Sequence, residues 1–123
     1  FSQLPDGLLG ISCIGERKFR VLSRSRQPDG LNVGEIAWLE PEAKQSLPPD
    51  SEHLSKVLRR ILPELGEVYA GIPRHFDDAS WVGSRLAEIL PLALGDKQYL
   101  LELEDPLARI ARIAPMIRRA DDA

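Results

Sequence analysis

The chain has 123 residues, which suits one domain, and its 43% hydrophobic and 28% charged residues are ordinary for a globular protein. Its formal net charge of −3 argues against a nucleic-acid surface, which is normally basic. No apolar run approaches the roughly 18 residues of a membrane span, and the single cysteine, Cys13, excludes an internal disulfide and fits a reducing cytoplasm.

The first forty residues have the composition of β-structure. Strands are predicted over residues 8–15, 17–23 and 31–39, which are rich in apolar and β-branched side chains. Gly34, inside the third run, indicates a bulge. Cys13 lies in the first run and is expected to be a small core residue.

The tetrapeptide Pro-Asp-Gly-Leu occurs twice, over residues 5–8 and 28–31. Pro suits the second position of a type I turn, Asp tolerates the third and Gly suits the fourth, so both copies predict tight turns. About three antiparallel strands are therefore expected in residues 1–40, and they cannot cover their own edges. We expect further strands on the amino-terminal side, or a homodimer formed through the exposed sheet edges.

The hydrophobic period changes from two to 3.6 after the strands. Residues 41–50 are polar and contain three prolines, which predicts a linker. Residues 51–123 carry the apolar stripes of helices and are interpreted as a helical subdomain. Strands followed by helices are typical of an α+β fold.

Four helices are predicted in this subdomain. The first runs to about residue 65 and is interrupted by Pro63. In the second, Val82 and Leu86 form part of the buried stripe, and Gly83 beside them allows a close backbone approach. The stripes of the first and fourth helices include Leu65 and Leu107, respectively. The expected amino-terminal caps are Asp50 or Ser51, then Asp77 or Asp78, then Asp96, and finally Asp105, which is followed by Pro106.

The sequence contains no recognisable catalytic set. A P-loop, a nucleophile elbow and a His-Glu-x-x-His zinc motif are all absent. His53 and His75 are the only histidines, which makes a weak case for a metal site. Glu102, Glu104 and Asp105 fit a charged helix junction better than a pair of catalytic carboxylates. No enzymatic function, cofactor or metal is therefore expected.

Aromatic residues and an arginine are the remaining candidates for recognition. Trp81 and Arg85 are one helical turn apart and can stack on each other. They either fill a seam between helix and sheet or form an exposed anchor for a peptide or partner protein. Tyr69, Phe76 and Trp38 complete the candidate peptide or partner contacts.

Several segments also stand in a distinctive order and spacing. They are Pro5-Asp6-Gly7, Gly15 with Arg17 and Phe19, Trp81 with residues 85–88, Lys97-Gln98 with residues 100–102, and Asp105-Pro106 with Arg109. Together they resemble the substrate-binding (amino-terminal, LON) domain family of Lon-type ATP-dependent proteases. The chain is most similar to the stand-alone bacterial proteins that carry this domain without ATPase or protease parts.

The resemblance implies a six-stranded pseudo-barrel, related to PUA-like barrels, followed by a helical bundle. Against that pattern, residues 1–40 look like a remnant of the barrel. The chain looks like the carboxy-terminal part of a LON-type domain that lacks its first strands. The expected fold class is thus α+β, a partial PUA-like β pseudo-barrel of about three antiparallel strands followed by about four helices. In such a domain Trp81 and Arg85 are expected to hold the helices to the sheet.

The function implied by the resemblance is a non-enzymatic protein- or peptide-binding module linked to proteolysis. Its partners would be unfolded or partner polypeptides in the cytoplasm, with no nucleic acid and no membrane. One alternative is a PUA-like RNA-associated module, which the acidic balance disfavours. A second alternative is an enzyme with a site at Cys13, His75 and acidic residues.

Overall fold

The chain divides into a β unit that ends at Pro41 and a helical unit that begins at Glu42. The computed structural model describes residues 2–122. Strands come first and helices follow, which confirms the predicted α+β class with antiparallel strands and four α-helices.

Four strands form two separate two-stranded antiparallel sheets in the β unit. They are β1 (Ser2–Gln3), β2 (Leu9–Gly10), β3 (Phe19–Arg26) and β4 (Asn32–Trp38). The strand predicted over residues 8–15 was too long, because no described strand pairs with residues 11–18. Cys13 lies in that irregular stretch and is exposed, so its assignment to a core was wrong.

The two Pro-Asp-Gly-Leu segments form matching turns, as predicted. The N–H of Gly7 donates to the carbonyl of Leu4 at 2.9 Å, and the N–H of Gly30 donates to that of Gln27 at 2.8 Å. In each turn the aspartate carboxylate accepts the N–H of the following leucine, at 3.0 Å and 3.1 Å. Both glycines have positive φ, 86° and 91°, a conformation that glycine adopts without steric penalty.

The pairing of β3 with β4 contains a bulge. Val21 pairs with Ile36 and the next pair begins at Ser23, so Leu22 is an extra residue in β3. The bulge predicted at Gly34 therefore lies on the opposite strand. A Cβ atom on Gly34 would lie 3.0 Å from the carbonyl oxygen of Ser23, so the glycine makes room for the bulged backbone.

The helical unit contains four α-helices around one apolar core. They are α1 (Glu52–Ile61), α2 (Ala79–Ile89), α3 (Leu94–Glu102) and α4 (Pro106–Asp122). The core is built from Leu54, Leu58, Leu62, Ala79, Val82, Leu86, Leu100, Ile110, Ile113 and Ile117. Leu65 and Leu107, expected in the buried stripes, are instead exposed because they lie at the ends of those stripes.

Helices α2 and α4 begin with aspartate caps, as predicted. The carboxylate of Asp78 accepts the N–H of Ser80 at 3.2 Å, and that of Asp105 accepts the N–H of Leu107 at 3.0 Å. Each bond satisfies a backbone donor that the helix itself leaves unpaired.

The starts of α1 and α3 differ from prediction. A 3-10 turn over Pro49–Ser51 leads into α1, and the Ser51 side chain forms no capping bond. Helix α3 begins at Leu94, so Asp96 lies inside its first turn and does not cap it. An acidic residue still suits that turn, because the amino-terminal end of a helix is electropositive.

Helix α1 also ends earlier than predicted, at Ile61. A 3-10 segment over Leu62–Val68 continues from it, with Pro63 near its start. Proline removes the backbone donor that an α-helix would need at that point. Gly66 adopts a φ of 73° inside this segment and breaks its helical path.

Residues 42–47, most of the predicted linker, pair with the backbone that leads into α2. The N–H of Leu47 donates to Asp77 at 2.9 Å, and the N–H of Ala79 donates to Gln45 at 2.8 Å. An isolated antiparallel bridge joins Ser46 to this same stretch. The segment is therefore part of the helical unit.

Arg109 connects this segment to the helices. Its side chain is 2% exposed, and its Nη1 lies 2.6 Å from Oε1 of Glu42. Its Nε donates to the carbonyl of Leu100 at 2.9 Å, and its Nη2 donates to that of Leu103. Gly83 allows this arrangement, since a Cβ atom there would lie 3.4 Å from the Arg109 side chain.

Candidate functional site

An aromatic cluster lies at the start of α2. The ring of Trp81 meets the ring of Phe76 edge to face at a centroid distance of 5.2 Å, and it meets His75 in the same manner at 6.1 Å. The guanidinium of Arg59, on α1, lies 4.1 Å from the centroid of Phe76. Trp81 and Phe76 are half-buried against the apolar core, so the cluster holds the loop before α2 onto the bundle.

A polar network extends from this cluster along α2. The guanidinium carbon of Arg85 is 6.0 Å from the Trp81 ring, at the outer limit of a cation–π contact. Nη2 of Arg85 pairs with the Glu88 carboxylate at 2.7 Å, and the Tyr69 hydroxyl donates to the same carboxylate at 3.1 Å. The structure thus brings together Tyr69, Phe76, Trp81 and Arg85, four of the five candidate residues.

Partial burial raises the pKa of the Tyr69 hydroxyl above its usual value near 10. The negative charge of Glu88 and the hydrogen bond to it raise this pKa further, whereas Arg85 opposes them. The tyrosine is therefore a neutral hydrogen-bond donor at physiological pH, and its bond to Glu88 fixes the loop against α2.

The fifth candidate, Trp38, lies in the β unit. It pairs with Phe19 across β3 and β4, and their rings meet edge to face at 6.0 Å. Val21 and Ile36 form the pair two positions along from Phe19 and Trp38. Paired residues share a face and faces alternate along a strand, so all four side chains lie on the same side of the hairpin. We call these four side chains the Trp38 face.

The Trp38 face is open to solvent. Its members are 50% (Phe19), 55% (Val21), 38% (Ile36) and 56% (Trp38) exposed. Among the side chains described in the β unit, none is buried. A contiguous apolar surface of this kind marks an interaction site more often than a lone exposed leucine does.

Cations border the Trp38 face at both ends. The guanidinium of Arg17 lies 4.5 Å from the centroid of the Trp38 ring. Beyond the bulge, Arg24 pairs with Gly34 and Arg26 pairs with Asn32 on the same side of the hairpin. Arg26 also donates from Nε to the carbonyl of Gly30 at 3.1 Å, which holds it beside the turn.

Prediction from sequence missed most of this surface. Trp38 was identified, but Phe19 entered only as part of the family resemblance, and Val21 and Ile36 only as positions within predicted strands. The strand register brings these residues together. It depends on the Leu22 bulge, which a period-two hydrophobic pattern does not reveal.

Two of the residues considered for catalysis have structural contacts. His75 meets Trp81 edge to face, and Asp105 caps α4. Among the described side chains, those of residues 3–117, no group of three His, Cys, Asp or Glu residues is placed to hold a metal ion. None of the helices in this range combines the length and the hydropathy needed to cross a bilayer.

Comparison with known proteins identifies a structural relative. No protein-family model and no curated protein matches the sequence. The crystal structure of a Lon N-terminal domain protein from Xanthomonas campestris does match, with 37% sequence identity and a TM-score of 0.71. The match covers 92% of this chain and 60% of that protein, so the chain spans about three-fifths of its relative. The resemblance drawn from sequence motifs is confirmed by this match.

Proposed function

Because the chain is a relative of the Lon N-terminal domain family, we propose that it is a non-enzymatic module that binds polypeptides. The observation that carries the proposal is the 37% identity to a Lon N-terminal domain protein along 92% of this chain. The ligands in this proposal are unfolded chains or partner proteins with exposed apolar segments, and the binding is linked to proteolysis.

The apolar surface of the β unit supports the proposal. Phe19 and Trp38 present half or more of their surface to solvent. Burying apolar surface yields about 25 cal/mol for each Å² removed from water, so this face favours contact with apolar side chains. Aromatic residues are also frequent anchors of protein interfaces.

The non-enzymatic part of the proposal is supported by the contacts of the reactive side chains. His75 packs edge to face against Trp81, and Glu88 is shared between Arg85 and Tyr69. A general base needs a free position within hydrogen-bond reach of a substrate. The proposal also includes a cytoplasmic location, which fits a free and exposed Cys13.

A peptide array tests the proposal. The purified protein is incubated with overlapping peptides from several natively folded proteins, and bound protein is detected with an antibody. We expect enrichment on peptides rich in aromatic and aliphatic residues. The matched control replaces those residues with Ser in the same peptides. Equal signal on both sets, or no signal at all, would contradict polypeptide binding.

A further inference from the structure

On the side that holds the Trp38 face, the paired residues of β3 and β4 carry charge of only one sign. Arg24 and Arg26 lie on this side, Arg17 lies over the Trp38 ring, and none of the paired residues there is acidic. Glu35 pairs with Ser23 and therefore points to the opposite side. Arg24 and Arg26 form no ion pair with any described residue. The surface thus places the apolar side chains between Arg17 at one end and Arg24 and Arg26 at the other.

This charge pattern distinguishes between two molecules that could bind the surface, a second copy of the chain and a ligand that carries carboxylates. If a second copy packed on the same surface, the guanidinium groups of Arg24 and Arg26 from each copy would share one interface, and no paired residue of β3 or β4 on that side supplies a carboxylate. Like charges that face each other across an interface are strongly unfavourable. An occupant with carboxylates would instead pair with Arg24 and Arg26, whose guanidinium groups bind carboxylates in a forked geometry.

We propose that the Trp38 face and the adjacent arginines bind an extended polypeptide segment in which apolar side chains are followed by carboxylates. The apolar side chains contact the Trp38 face, and the carboxylates contact Arg24 and Arg26. Arg24 pairs with Gly34, which lies two residues from Ile36 in β4, or about 7 Å at the rise of a strand. The carboxylates should therefore follow the apolar residues by about two positions, which also keeps them on the same side of an extended segment. This inference rests on the proposed polypeptide binding and names its ligand class.

Fluorescence anisotropy with labelled peptides tests this inference on the intact protein. The first peptide carries two aromatic residues followed two positions later by two aspartates, and the second carries two lysines in place of the aspartates. We expect the aspartate peptide to bind about tenfold more tightly at low salt, which corresponds to about 1.4 kcal/mol. The difference should shrink as salt is raised, because exposed charges are screened. Equal affinity for the two peptides would overturn the proposal.

Variants locate the binding surface. Trp38→Ser should weaken the aspartate peptide about tenfold or more, whereas Leu94→Ser, which removes an exposed leucine of the helical unit, should leave its affinity unchanged. The double variant Arg24→Glu, Arg26→Glu should reverse the preference and select the lysine peptide. Both arginines are exposed, so this variant should fold normally.

The outcomes separate this inference from the proposed function. Apolar peptides that bind wild type and Trp38→Ser equally well would overturn the inference and leave polypeptide binding intact. If no peptide binds in either assay, the proposed function of polypeptide binding is itself contradicted. If wild type is a dimer and Trp38→Ser is a monomer in sedimentation velocity, the surface is a self-interface and the inference is overturned.

Discussion

Arg109 uses its guanidinium N–H groups for hydrogen bonds inside the protein. Its guanidinium donates to the carboxylate of Glu42, in the segment before α1, and to the carbonyls of Leu100 and Leu103, at the end of α3. Such a side chain is costly to bury and still more costly to remove, because the two carbonyls would then lose their donor and the carboxylate its counter-charge.

Replacement of Arg109 by Met should therefore lower the free energy of unfolding of the helical unit by about 3–5 kcal/mol. Urea unfolding followed by far-UV circular dichroism measures this change. Arg112→Met is the matched control on the same helix, since Arg112 is exposed and only lies over the ring of Tyr99. The control should cost less than about 1 kcal/mol. Similar losses of unfolding free energy in both variants would contradict the stabilising role assigned to Arg109.

Tyr69 leads to a prediction at alkaline pH. Because its pKa is raised in the folded protein, its bond to Glu88 stabilises the fold fully below the unfolded pKa near 10. That contribution is lost as the pH rises through the higher folded pKa. Near-UV absorbance should show one tyrosinate transition above pH 10 that is missing in Tyr69→Phe. The variant should also lose less stability between pH 9 and pH 11 than wild type, and an equal loss would contradict the assignment.

At the scale of elements, α2 and α4 were the best predicted parts of the chain. Each combines an apolar stripe with an aspartate before it, so periodicity and capping indicate the same helix. Helix α3 has apolar residues on both sides, with Leu100 buried and Leu94 and Leu101 exposed, and its start was misplaced. Asp96 had the right residue type for a cap but the wrong position.

The two aspartates provide a matched pair of variants. Asp78→Ala should destabilise the helical unit by about 1 kcal/mol, because it removes the cap of α2 and also the acceptor of the Gln45 N–H. Asp96→Ala should cost only a few tenths of a kcal/mol, since it removes a favourable charge from a first turn and no cap. Thermal unfolding of both variants measures the difference. A larger loss for Asp96→Ala would mean that α3 begins elsewhere.

The strands and the candidate site were predicted less completely than the helices. The two turns could be recognised because Pro, Asp and Gly each favour one turn position. The extent of a strand depends on a partner strand, and residues 11–18 have none in the described structure. The pair of Glu42 and Arg109 is separated by 67 positions and could not be recognised from local pattern. The grouping of Phe19, Ile36 and Trp38 also joins residues that are distant in sequence, so local pattern could not predict it.

At the scale of the whole molecule, the two units differ in burial. The core residues all lie in the helical unit, whereas no described side chain of the β unit is buried. Amide hydrogen exchange should therefore be fast throughout β3 and β4 and slowest in α1, α2 and α4, because local opening costs least where little apolar surface is covered. Equal protection of the hairpin and the helices would mean that something covers the β unit in solution.

The open sheet edges lead to a separate prediction about assembly. Strands β3 and β4 pair only with each other in the described structure, so each has one edge with unpaired backbone groups. We expect self-association that grows with protein concentration in sedimentation velocity and that survives in Trp38→Ser, since edge pairing uses the backbone and not the Trp38 face. A monomer at all concentrations would contradict edge pairing.

The contact between Glu42 and Arg109 also bears on the order of events during synthesis. After Glu42 the chain must grow by 67 positions before the guanidinium is available. Chains grow at about 5–20 residues per second, so several seconds pass between the synthesis of Glu42 and that of Arg109. A nascent chain halted before residue 109 should therefore hold helices without a closed core, and this is the stage at which chaperones would find it most accessible.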